Sequence, residues 1–268
     1  MPGGDRQEIT MEDFTLDINA YLRRIGAERP RDLTPQSLQK LVRAHLEQVP
    51  FEDLELTEEK ARPSLEPEAL FQKIVTHRRG GYCFELNKLF YLLLVALGYD
   101  CHCVGVRCIL GRPEPLPISH RGIVVRFGEE RWYCDVGFGG RGPKGILNLD
   151  HAGIQEICYE RFQVLLEDGQ YVIVYLEGDD PVRMLKFRDE PYLDVDFEVL
   201  NGFFSVNPDS PFRRKRAVYR CTEEGWLGLR GDTYLTFHRG VYKEQEMARQ
   251  DIRELLKTRF GLDVPLLP

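Results

Sequence analysis

Among the side chains able to do covalent chemistry, Cys83 occupies the most informative position in the chain. It follows Gly80-Gly81-Tyr82 and opens residues 83–97, a run that is apolar almost all round after Lys88 and is followed by Gly98. That pattern predicts a buried central helix with a glycine just past its end. A cysteine in the first turn of such a helix sits near the positive end of the macrodipole and near unpaired backbone N–H groups. Both favour thiolate over thiol, which is what a nucleophile for acyl groups needs. The competing reading is a buried, inert cysteine that fills core.

A thiolate needs a base and a group to orient that base. Residues 120–127 and 131–136 read as two strands around Gly128-Glu129. If that pair is the whole loop, Phe127 lies opposite Glu130 and Gly122 opposite Asp135. Side chains alternate faces, so His120 then shares a face with Asp135 as a diagonal neighbour. His120 can give one ring nitrogen to Asp135 and turn the other toward Cys83. A one-residue slip would separate the two onto opposite faces. His45, His77, His102, His151 and His238 read as structural. Cys101, His102, Cys103 and Cys108 look superficially like a metal cluster, but alternation sends Cys101 and Cys103 to one face and His102 and Cys108 to the other. The Cys-x₂-Cys spacing of zinc sites is absent, so strand packing is the reading and no metal is expected. Cys134 points away from Asp135, into core.

The elements that must carry these residues divide by character. Ile18, Tyr21, Leu22 and Ile25 keep helical spacing up to Gly26. Thr34-Pro35 supplies an N-cap and a first-turn proline, and Leu38, Leu41, Val42, Leu46 and Val49 form an apolar stripe ended by Pro50. A third helix is expected over residues 67–76. The middle of the chain turns to strands at residues 101–109, 120–127 and 131–136, with a further hairpin of residues 162–166 and 171–176 around Asp168-Gly169. The last part mixes a helix near 195–204, strands near 217–221 and 234–238, a turn at Arg230-Gly231-Asp232, and a helix near 251–259. Helices, then strands, then mixed elements favour an α+β fold over a βαβ sheet.

The formal net charge of −7 argues against a nucleic-acid partner, which is bound through a basic excess. The local exception is Arg213-Arg214-Lys215-Arg216, which is either a solvated turn or a contact for a phosphorylated ligand. Residues 1–10 lack the apolar core of a signal peptide, and the longest apolar run, residues 89–97, is too short to span a bilayer. Seven cysteines cannot all pair within one chain, so free thiols and a cytoplasmic location are expected.

Arg79-Gly80-Gly81-Tyr82-Cys83-Phe84-Glu85-Leu86-Asn87 resembles the nucleophile segment of the arylamine N-acetyltransferases. Val49-Pro50-Phe51-Glu52-Asp53-Leu54 upstream, and His120 with Asp135-Val136-Gly137-Phe138-Gly139-Gly140 downstream, are similar to other segments of that family in order and approximate spacing. So are Asn207-Pro208-Asp209-Ser210-Pro211-Phe212 and His238-Arg239-Gly240-Val241-Tyr242-Lys243. The resemblance implies a Cys-His-Asp triad of Cys83, His120 and Asp135. Its implied frame is a helical bundle (residues 1–98), an antiparallel β-barrel (99–192) and an α/β lid (193–268). It implies ping-pong transfer from acetyl-CoA, a co-substrate, to an aromatic amine or hydrazine. Phe51 and Phe138 match positions that line the acceptor pocket, and Ser119, Phe203, Asp209 and Ser210 fall near positions that contact the acyl donor or CoA. It also implies an ion pair between Arg79 and Glu52.

Two departures stand out: Asp53 occupies a position where the family usually has Asn, and Leu116-Pro117-Ile118-Ser119 differs from many relatives. An amide synthase or a thioester hydrolase would use the same triad, and a catalytically inactive homologue would keep only the fold.

Overall fold

The computed structural model describes residues 14–178 and 180–264. The segment read above as lacking a signal-peptide core, residues 1–10, lies outside them.

The helical stop and start signals are used as their chemistry requires. Helix α1 (Ile18–Ile25) is capped by the Asp17 carboxylate, which accepts from the Ala20 N–H at 2.8 Å, and it ends at Gly26 in the left-handed region at φ 68°. Helix α2 (Pro35–Gln48) starts on the Thr34 hydroxyl, which accepts from the Ser37 N–H at 3.2 Å. A two-residue strand β1 (Phe51–Glu52) and a single helical turn α3 (Leu54–Thr57) follow. Helix α4 (Pro67–Phe71) continues into a wider π turn over Gln72–Thr76, so the expected third helix is present with a changed winding in its second half. Helix α5 (Cys83–Leu97) begins at the cysteine and closes on Gly98 at φ 97°.

The central strands are β2 (Asp100–Cys108), β3 (His120–Phe127), β4 (Glu130–Cys134), β5 (Leu147–Asn148), β6 (Ile154–Ile157), β7 (Glu160–Glu167), β8 (Gln170–Glu177) and β9 (Asp180–Phe187). They form one eight-stranded antiparallel sheet in the order β5-β4-β3-β2-β9-β8-β7-β6, the expected barrel-like body. Strand β9 was not anticipated. Pro181, Arg183 and Lys186 break its apolar alternation, and its place is secured by pairing on both sides, to β2 and to β8. Strand β3 serves two interiors. Ile123 and Val125 pack with the helices, while Val124 faces a second core with Tyr133, Phe162, Ile173 and Phe187. Cys101 and Cys103 join the helix side and Cys108 the barrel side, as alternation required.

Helix α6 (Asp194–Val206), the turn α7 (Pro211–Arg214), strands β10 (Ala217–Thr222), β11 (Gly225–Arg230), β12 (Thr233–His238) and β13 (Val241–Glu246), and helix α8 (Arg249–Leu255) with its π extension Leu256–Phe260 complete the chain. Their sheet has the order β1-β10-β11-β12-β13, so its first strand comes from the segment after α2. Ile252, Leu256 and Phe260 cover it against Leu54, Val218 and Leu229. Strand β13, exposed at every position, is an edge strand held by its ladder to β12 and carries no apolar signal. No helix among the described residues is long and apolar enough to cross a membrane.

Candidate active site

Two adjacent glycines let the chain enter α5 in a confined space. A Cβ on Gly80 would collide with the Pro50 carbonyl oxygen, and one on Gly81 would lie 2.9 Å from Glu85 Oε2. Phe51 bridges Gly81, and the Glu52 N–H donates to the Gly81 carbonyl at 2.8 Å. Glu85 accepts from the Tyr82 N–H at 3.0 Å, which fixes the first turn. Cys83 is then 1% exposed, with its Sγ 3.9 Å from the carbonyl oxygen of Ser119, the residue before His120.

The β3–β4 hairpin pairs Phe127 with Glu130 and Ile123 with Cys134, the register expected for a two-residue loop at Gly128-Glu129. His120 and Asp135 consequently meet, Nε2 to Oδ2 at 2.6 Å, both buried. Three further donors converge on the same carboxylate. The Tyr133 hydroxyl donates to Oδ2 at 2.8 Å, and Asn87 Nδ2 and the Gly137 N–H donate to Oδ1 at 2.8 and 2.9 Å. Asn87 lies one helical turn after Cys83 on the same face of α5. It also accepts from the Val136 N–H at 2.9 Å and donates to the Arg121 carbonyl at 2.5 Å, so it ties the helix to β3 and to the segment that leaves β4. Two glycines make the approach possible. A Cβ on Gly122 would lie 2.6 Å from the Tyr133 ring, and one on Gly137 would lie 2.8 Å from the Cys83 Cα.

Burial alone would raise the Asp135 carboxyl, but the charge of His120 and the hydrogen bonds from His120, Asn87 and Tyr133 outweigh it and hold the group below its ordinary range. Cys83 behaves otherwise. Enclosure, with Cys108 and Asp135 nearby, pushes its thiol well up, and the backbone N–H groups of Arg121 and Phe84 recover only part of that. Enclosure of the sulfur thus works against the pull that the helix start exerts toward the thiolate.

Beneath the loop, Arg79 Nε lies 2.9 Å from Glu52 Oε1, and the Glu52 side chain is wholly buried. Burial works to raise Glu52, yet Lys73 and Arg79 hold it below its usual value. Lys73 also sits 2.5 Å from Glu55 and 2.6 Å from Glu85, whose carboxyl burial pushes up to about 7 in spite of that cation. Asp53 accepts from the Ala217 N–H at 2.7 Å, and burial, with Glu52 beside it, raises its carboxyl well above the ordinary range.

Phe138 stands edge-on to the His120 ring at 5.5 Å between centroids, and Phe51 contacts Tyr219 at 6.2 Å. Together with Val136 and Trp226 they wall a narrow cleft. Phe203, Asp209 and Ser210 lie elsewhere, at the end of α6 and in the turn before α7. That region reaches the nucleophile indirectly, through Phe204 on Phe84 and Phe212 on Tyr82. Phe203 is 53% exposed and Asp209 is exposed, whereas Ser210 is buried and its hydroxyl accepts from the Phe212 N–H at 3.3 Å. The Ser210 side chain thus shapes the turn.

Compared with known proteins, the chain matches a family model described as N-acetyltransferase over residues 34–267. It is 31% identical to the arylamine N-acetyltransferase of Mycobacterium tuberculosis, across 94% of this chain and 91% of that one. It is 30% identical to that of Mycolicibacterium smegmatis, across 94% of both. The chain belongs to the arylamine N-acetyltransferase family. The solved structure of the Salmonella typhimurium arylamine N-acetyltransferase superposes with a TM-score of 0.88 at 28% identity, covering 94% of this chain and 93% of that one. The Mycobacterium marinum arylamine N-acetyltransferase, solved in complex with CoA, superposes with a TM-score of 0.87 at 28% identity, covering 92% and 93%. Two site residues of this family member escaped the sequence reading. Asn87 was open to detection as the polar residue four positions after Cys83, on the same face of the helix, and Tyr133 as the residue two before Asp135.

Proposed function

We propose that the protein transfers an acetyl group from acetyl-CoA to an arylamine or arylhydrazine through a thioester on Cys83. The observation that carries this reading is the 2.6 Å contact of His120 Nε2 with a carboxylate fixed by three other donors, on strands tied through Asn87 to the helix that begins at Cys83. With Nε2–H committed to Asp135, Nδ1 is the ring nitrogen that takes the Cys83 proton. The thiolate thus arises by proton transfer, as a partner of the imidazolium that Asp135 stabilises.

Sulfur then attacks the thioester carbonyl of the donor and the carbon–sulfur bond to CoA breaks. The proton held on His120 goes to the departing CoA thiolate. In the second half the amine attacks the Cys83 thioester, the Cys83 thiolate leaves, His120 takes the amine proton, and an amide is released. Phe51 and Phe138 offer aromatic faces to a flat acceptor. Ser119, beside the sulfur, and the Phe203, Asp209 and Ser210 segment are assigned to the donor side. The CoA bound by the Mycobacterium marinum relative supports CoA as the carrier.

Acetyl-CoA without amine is expected to add one acetyl group to the intact protein by mass spectrometry, mapped by peptide digestion to Cys83. Cys83→Ala is expected to lose both adduct and turnover. An acetyl group on Cys101 or Cys134, with Cys83→Ala still active, would overturn the assignment.

A further inference from the structure

Lys73 touches the nucleophile's loop at both of its ends. It lies in the π turn Gln72–Thr76, and its carbonyl accepts from the Arg79 N–H at 3.0 Å, where the loop begins. Its Nζ lies 2.6 Å from Glu85 Oε1, where the loop has become α5. The same ammonium is 2.5 Å from Glu55 and also acts on the buried Glu52. One cation therefore serves carboxylates carried by β1, α3 and α5.

Two of those side chains fill the space that the loop's glycines leave. A Cβ on Gly80 would lie 2.8 Å from Glu52 Cγ, and one on Gly81 would lie 3.1 Å from Glu85 Cβ. Glu85 is 1% exposed and divides its oxygens, Oε1 to Lys73 and Oε2 to the Tyr82 N–H at 3.0 Å. The Tyr82 carbonyl in turn accepts from the Glu85 and Leu86 N–H groups, at 3.0 Å each. Both polar groups of the Tyr82 backbone are thereby bound through residue 85 and its neighbour. That carbonyl belongs to the peptide that joins Tyr82 to Cys83, so the entry to the nucleophile has a set orientation.

We infer that Glu85 is a positioning residue for Cys83, and that Lys73 holds Glu85 to that task by tying it to the start of the loop. The inference rests on the reading of Cys83 as the nucleophile. The sulfur must sit where His120 takes its proton and where a thioester carbonyl can be attacked, and a misplacement of about 1 Å can cost about 100-fold in rate. Glu85 orients the peptide before the sulfur and is itself buried beneath the loop, so its loss is read in the reactivity of Cys83 and not in the affinity for acetyl-CoA.

The test follows Cys83 in two reactions, single-turnover acetylation by acetyl-CoA and alkylation by iodoacetamide, with a melting curve to establish that each variant is folded at the assay temperature. Glu85→Ala removes the acceptor of the Tyr82 N–H and is expected to slow both reactions by roughly 10- to 100-fold. The half-saturating acetyl-CoA concentration should stay as in the parent. Glu85→Gln keeps an acceptor oxygen and should recover most of the loss. Lys73→Gln leaves Glu85 untethered and should slow both reactions, by less than Glu85→Ala. A merely structural role would lower the melting temperature and leave both rates per folded molecule unchanged. That outcome, or a change in half-saturation alone, overturns the inference. If Glu85→Ala does not fold, Lys73→Gln decides on the same two rates: slower than the parent upholds the positioning role, and parental rates overturn it. If the parent gains no acetyl group, the acyl-transfer reading falls, and the iodoacetamide series by itself then upholds or removes the positioning of Cys83.

Discussion

At Asp135 each carboxylate oxygen receives two donors, His120 and Tyr133 on Oδ2, Asn87 and Gly137 on Oδ1. An amide presents N–H to donors at one of these positions and removes the charge that stabilises imidazolium. Asp135→Asn is therefore expected to stay folded while turnover falls by roughly four orders of magnitude. Alkylation of Cys83 should need a higher pH than in the parent, since burial already pushes the thiol up and the variant loses the imidazolium that offsets it. Similar alkylation profiles for the two proteins would show that the thiolate does not depend on this chain of contacts.

Asp53 makes the opposite kind of prediction. Its carboxyl is raised in the fold, so the proton is bound more tightly there than in the unfolded chain. The stability this group contributes is complete below its unfolded pKa of about 4 and is lost as pH rises through the raised folded value. Asparagine keeps the acceptor for the Ala217 N–H and has nothing to ionise. Asp53→Asn should melt higher than the parent at pH 7, and the gain should vanish near pH 4. A gain that persisted at pH 4 would point to a cause other than ionisation.

Among the elements, the loop before α5 depends on charges brought from two other segments. Glu52 is wholly buried and its carboxylate is shared between Arg79 Nε and the Leu54 N–H, at 2.9 Å each. Removing one partner of a buried pair costs about 3–5 kcal/mol. Arg79 is 21% exposed and Lys73 still acts on Glu52, so Arg79→Gln is expected near the lower end, about 3 kcal/mol. Arg78 is exposed, and Arg78→Gln should be close to neutral. Equal, small shifts in melting temperature for the two variants would mean that the Glu52 carboxylate does not rely on Arg79.

For the molecule as a whole, the nucleophile's helix is the meeting point of helices, barrel and lid. Phe84, fully buried, touches Tyr82 at 5.3 Å, Phe197 at 6.0 Å and Phe204 at 6.2 Å, so α6 is packed onto the residue next to Cys83. The Tyr82 hydroxyl adds a hydrogen bond to Asn201 of α6. Phe84→Ala should cost about 3–5 kcal/mol and lower a single calorimetric transition by about 10 °C. A variant in which α6 alone became open to proteolysis, with the main transition unmoved, would show that the lid packs independently of the nucleophile's helix.

What was legible in the sequence is what local geometry decides. Periods of 3.6 and 2, Gly26 and Gly98 as stops, Thr34-Pro35 as a start and the two-residue loop at Gly128-Glu129 act over a few residues. The last of these determines the hairpin register, and hence the meeting of His120 with Asp135, fifteen residues apart. The matched motifs identified the family in addition. Only the tertiary structure brought α5 against the strands, through Asn87 reaching Arg121 and Asp135, and Gly137 lying on the Cys83 turn. It alone gave β9 and β13 their partners and added β1 to a sheet built from residues 217–246. The chemistry of Cys83 divides in the same way. Its place at a helix start follows from sequence, but the cost of ionising it is set by how completely other segments exclude water from the sulfur, and no local pattern encodes that enclosure.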